Sequence, residues 1–76
     1  DVKDVYKKVV RLAEHIENET PIHAALLLYK AKALRGLGLL DAARDTLTQA
    51  LRRKKGRSED LLRAIQYERA LVYEDL

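Results

Sequence analysis

Between Ala31 and Leu51 the chain reads Ala31-x-x-Leu34-x-x-x-Gly38-x-x-x-x-Ala43-x-x-x-Leu47-x-x-Ala50-Leu51. Small and large apolar residues recur at helical spacing on both sides of a single glycine. Alanine lets two helix backbones approach closely, and leucine fills the space beside the contact. Glycine takes the left-handed conformation that ends a helix and reverses the chain, because it has no Cβ to clash. The run therefore commits residues 31–51 to the two arms of an antiparallel helical hairpin. Gly38 makes the turn between the two arms.

The same period extends to both ends. Val5, Val9, Leu12, Ala13 and Ile16 form one stripe on a first helix from about Val2 to Glu17. Asn18-Glu19-Thr20-Pro21 interrupts it, with Thr20 as the next cap and Pro21 in the first turn, where a missing N–H costs nothing. Ala24, Leu27, Leu28, Ala31 and Leu34 follow on a second helix. A third starts near Leu40–Asp41, with Asp41 and Asp45 toward its positive end and Arg52, Arg53, Lys54 and Lys55 at its negative end, before Gly56 closes it. Ser58 caps a fourth, with Glu59 and Asp60 in the first turn and Leu61, Leu62, Ile65, Ala70, Leu71 and Tyr73 as apolar content. The expectation is all-α, with four helices.

The 31–51 run resembles the tetratricopeptide (TPR) repeat, in which small residues and a turn glycine join two closely packed helices. Ala70-x-x-Tyr73 repeats Ala31-x-x-Leu34 thirty-nine residues on, and Val9-x-x-x-Ala13-x-x-Ile16 echoes Ala43-x-x-x-Leu47-x-x-Ala50. The family period is about 34. The resemblance implies a short right-handed solenoid of stacked hairpins. Residues 1–19 would close a preceding repeat, 20–55 form a complete hairpin, and 58–76 open a following one. In that frame Ala31 and Ala43 would be the close-approach pair across the hairpin, Leu34 and Leu47 would fill the space between its helices, and Ala50, Ala70 and Tyr73 would pack between repeats. The open face of the fourth helix, near Leu62, Ile65 and Tyr73, is left for another chain to cover. An unrelated four-helix bundle with alanine at its contacts fits the same spacing.

The resemblance also implies a function, as a protein–protein interaction module whose concave groove takes a peptide or helix of a partner. Transferred position by position, the groove is lined by Ala25, Leu28, Lys32 and Arg35, and by Ala64, Tyr67, Leu71 and Glu74. Lys32 and Arg35 would hold an acidic group of the partner, and Tyr67 would be its aromatic anchor. Tyr6 and Tyr29 are expected to be partly buried. The alternatives are a structural segment that self-associates through unfinished repeat edges, or an anion-binding module using residues 52–57.

Composition narrows the rest. At 76 residues the chain holds one small domain, with 47% hydrophobic and 36% charged residues marking it as globular. Its longest apolar run, 24–29, stops at Lys30, far short of the roughly 20 residues that span a bilayer. There is no secretory signal pattern and no initiator Met, so a trimmed segment of a longer protein is expected, with the cytoplasm as default address. The absence of cysteine excludes a disulfide framework and thiolate metal sites. Residues 21–57 carry nine bases against two acids, a net +7, between ends of net −1 and −3. That layout suits stacking of like units or an acidic partner.

No catalytic or metal constellation emerges, and no cofactor is expected. His15 and His23 are the only histidines, Pro21 breaks the register between Glu19 and His23, and no third ligand stands at metal spacing. Ser58 is the only serine, and capping accounts for it. Gly36 and Gly38 make a turn rather than a phosphate loop. The Arg52–Arg57 run lacks interleaved aromatics, and the helix dipole already favours bases there, so nucleic acid is not the expected partner.

Overall fold

The computed structural model describes residues 1–19, 24–53 and 58–76. They form four helices, α1 (Val2–Glu19), α2 (Ala24–Gly36), α3 (Leu40–Arg52) and α4 (Glu59–Asp75), with no strand among the described residues. The expected Thr20 cap, Pro21 first turn and Gly56 stop lie outside the described residues.

The α2–α3 turn follows from Gly38. Its φ of 80° is left-handed. The reversal lets the Leu39 N–H reach the Leu34 carbonyl at 2.9 Å and the Gly38 N–H reach that of Arg35 at 3.0 Å. This six-to-one and five-to-two pairing is the Schellman motif, and it satisfies two carbonyls that a helix end otherwise leaves open. At the head of α4, the Ser58 side chain accepts a hydrogen bond from the Leu61 N–H at 3.1 Å, as its sequence position requires. α3 ends earlier than its basic run: Arg53 is already extended, and its N–H closes the last turn on the Ala50 carbonyl at 3.2 Å.

α2 is the hub. It packs along α3 as a hairpin, receives α1 on one flank and α4 on another, while α4 also lies against α3. Among the described helices, α1 contacts α2 and no other. Leu27, Leu47, Ile65 and Val72 are the largest wholly buried side chains, and Ala24, Ala31, Ala43 and Ala50 are fully buried beside them. Alanine and leucine thus occupy the hairpin interior as the spacing demands. The molecule is a slab of 33 × 31 × 17 Å. Its thin dimension is less than two helix diameters of about 10 Å, so no helix is enclosed on every side.

α4 is rotated relative to the sequence expectation. Ile65, Glu68 and Val72 are its buried residues, whereas Ala70 and Tyr73, expected in the packing, are exposed. Leu62 is half-buried and Ile65 wholly buried, so neither belongs to an open face. The buried face combines Ile65 and Val72 with an ion pair, in which Arg35 Nε donates to Glu68 Oε1 at 2.6 Å, and the Ala70–Tyr73 side faces outward. No described helix is long and apolar enough to cross a membrane.

Candidate functional site

α2 packs against α1, α3 and α4 and leaves one strip of its surface free. On α2, the side facing α4 carries Leu28 and Arg35, and the side facing α1 carries Leu26 and Ala33. Between them, at helical spacing, run Ala25, Tyr29 and Lys32. On α4, Glu68 and Asp75 mark the side toward α2, since both meet Arg35, at 2.6 and 4.0 Å. The next positions around that helix, away from α3, are Ala64, Tyr67, Leu71 and Glu74. The free face of α2 thus lies between the α1–α2 groove, which Tyr29 and Lys32 also line, and the α2–α4 seam, where the Arg35–Glu68 pair joins the two helices.

The side chains at the seam divide by exposure. Tyr67 is 67% exposed and Tyr29 57%, with Lys32 and Glu74 also exposed and Leu71 half-buried. The Lys32 ammonium stands 5.9 Å from the Tyr29 ring centroid, within cation–π range. Glu74 and Asp75 make one end of the seam acidic, and Lys32 makes its middle basic. Two expected lining residues move. Leu28 is buried in the core, because it faces α4 rather than solvent. Arg35 is committed to Glu68, which holds its guanidinium pKa above the ordinary arginine value through the hydrogen bond first and the charge second. Its Nε is taken by Glu68, while about a third of the side chain stays in solvent. Tyr29, expected to be partly buried, is the exposed aromatic on α2 instead.

Glu68 is the residue that sequence reasoning passed over. Its side chain is only 3% exposed, although a carboxylate on a helix reads as solvated. Its single signal is position: Ile65, Glu68 and Val72 share one face, which a buried apolar stripe would otherwise fill. Arg69 is a second case. Its Nε is buried without a hydrogen-bond partner among the described residues, and its guanidinium carbon lies 5.3 Å from the ring centroid of exposed Tyr73. Among the described residues, no three His, Asp or Glu side chains converge as metal ligands. His23 and residues 54–57 of the basic run lie outside the described residues.

No family model, curated protein or solved structure compared with the chain matches it.

Proposed function

We propose that the chain is a protein–protein interaction module that binds a peptide or helix of a partner along the α2–α4 seam. The observation that carries this reading is Tyr67, a two-thirds-exposed aromatic on α4 beside the free face of α2 that bears Tyr29 and Lys32. Exposed aromatics beside a cation are the side chains that contribute most when an interface desolvates them. Lys32 selects an acidic group, and Glu74 with Asp75 selects a basic one toward the end of α4. The packing order supports the likeness to TPR repeats: α1 on α2, α2 with α3, and α4 on both α2 and α3 is the sequence of contacts that stacked hairpins make.

The test is capture of helical and extended peptides from a display library by the immobilised chain. Tyr67→Ala and Lys32→Glu should each weaken capture by about tenfold or more, the range of an interface hot spot. Both sites are exposed, so the far-ultraviolet circular dichroism and melting temperature should not change. Capture that survives both substitutions removes the reading.

A further inference from the structure

Three leucines meet at the α2–α3 turn, and α1 lays two bases beside them. Leu34, Leu37 and Leu39, with Val10, floor a groove of about 360 Å³ whose other lining residues are Lys7 and Arg11. No acid lines it. The groove shares no residue with the one around Tyr29 and Lys32 on α2.

Two of its features run against what α3 and α1 favour on their own. Leu39 is the N-cap of α3, yet it makes no side-chain cap bond and is 52% exposed. A serine, threonine, aspartate or asparagine there would satisfy a backbone N–H that leucine cannot. Lys7 and Arg11 lie one turn apart on α1, with Lys3 one turn before them, and like charges at that spacing repel. Both bases are exposed. Asp4 and Glu14 stand three residues to either side, yet neither base holds a carboxylate among the described residues. Local rules broken together at one place mark a surface that is completed from outside the chain.

We propose that this groove binds an acidic segment of a partner protein, in which one large apolar side chain is flanked by aspartate or glutamate. The apolar side chain enters between Val10 and the three leucines and covers Leu39, while the flanking carboxylates take Lys7 and Arg11. An apolar centre with a charged rim is the ordinary division of a protein interface. The bases that repel each other in the free chain both attract an acid placed between them. A nucleic acid would use the cations but leave the leucines in water, and no aromatic lines the groove for a base to stack on. The proposal stands apart from peptide binding at the α2–α4 seam, since Tyr67, Leu71 and Glu74 take no part in it.

The test is comparative selection from a random peptide display library on three chains. These are the wild type, Lys7→Glu/Arg11→Glu, and Arg52→Glu/Arg53→Glu, which makes the same change of net charge elsewhere. All four bases are exposed, so each variant should keep its helicity. Wild type and the Arg52→Glu/Arg53→Glu chain should enrich the same peptides, with an apolar residue between acids. Lys7→Glu/Arg11→Glu should bind synthetic copies of them more weakly by about tenfold or more, and should enrich lysine or arginine beside the apolar residue instead. Leu39→Ser should weaken the same copies by about tenfold while its melting temperature holds or rises, because serine caps α3. Captured peptides that all survive Lys7→Glu/Arg11→Glu overturn the proposal and leave the reading of the α2–α4 seam standing. Equal losses in the two charge-reversed chains overturn it as well, since net charge alone then attracts the peptides. So does a wild-type chain that prefers single-stranded DNA to every selected peptide, or a Leu39→Ser chain that binds as tightly as wild type.

Discussion

The contact between Arg35 and Glu68 joins α2 to α4, and its energetics follow from unequal exposure. Glu68 is buried while Arg35 keeps about a third of its side chain in solvent. Removing the arginine strands a carboxylate in the interior, whereas removing both groups strands nothing. Arg35→Leu should therefore destabilise the fold by about 1–3 kcal/mol, below the roughly 3–5 kcal/mol of a fully enclosed pair because water still reaches the guanidinium. Adding Glu68→Leu to it should restore most of the loss. Urea denaturation of the two single variants and the double variant measures this, and additive losses would show that the pair is not coupled. The pH dependence has a defined sign. A folded-state pKa raised above the unfolded value stabilises below the unfolded value and loses that contribution as pH climbs through the folded one. For an arginine this window lies in strong alkali. The gap between wild type and Arg35→Leu should thus stay constant from neutral pH to about pH 10.

At the scale of helices, the α1–α2 contact turns on Gly36. A Cβ built there would fall 2.7 Å from Tyr6 ring atoms, so the ring lies where any other side chain would begin. Alanine is the better helix former by about 1 kcal/mol, but displacing Tyr6 forfeits the packing that holds α1. Gly36→Ala should cost about 1 kcal/mol or more in the native background and become neutral or stabilising once Tyr6→Ala has cleared the space. Thermal melts of the three variants decide it; a stabilising Gly36→Ala in the native background would mean that Tyr6 gives way freely. This contact was not legible in the sequence, which offers Gly36 only as part of a turn. The hairpin was legible, because alanine, leucine and Gly38 each have one physical role at that spacing, and so was Ser58, whose side chain caps as its position demands. α4 was not. Its apolar residues Leu61, Leu62, Ala64, Ile65, Ala70, Leu71, Val72 and Tyr73 surround most of the helix, so periodicity alone leaves the buried side open. The buried side carries Ile65 and Val72 with the ion-paired Glu68, and it is selected by contacts with α2 and α3 that local periodicity does not contain. Lys32, Tyr67 and Glu74 are exposed and Leu71 half-buried, whereas Leu28 is buried in the core and Arg35 is ion-paired with Glu68.

In the whole molecule, stability is shared unevenly because contacts are sequential. α2 touches all three other helices, α3 and α4 touch two each, and α1 touches only α2. Local opening requires less free energy where fewer apolar contacts are broken, so α1 should detach before the α2–α3–α4 unit unfolds. Hydrogen exchange at low protein concentration should show α1 amides exchanging fastest and the buried centre of α2, around Leu27 and Ala31, exchanging slowest. Low denaturant should sharpen the difference, since detaching α1 exposes less surface than global unfolding does. If α1 amides instead exchange at the rate of the α2 core at every concentration, the four helices form one cooperative unit, and the single contact surface of α1 is strong enough to hold it.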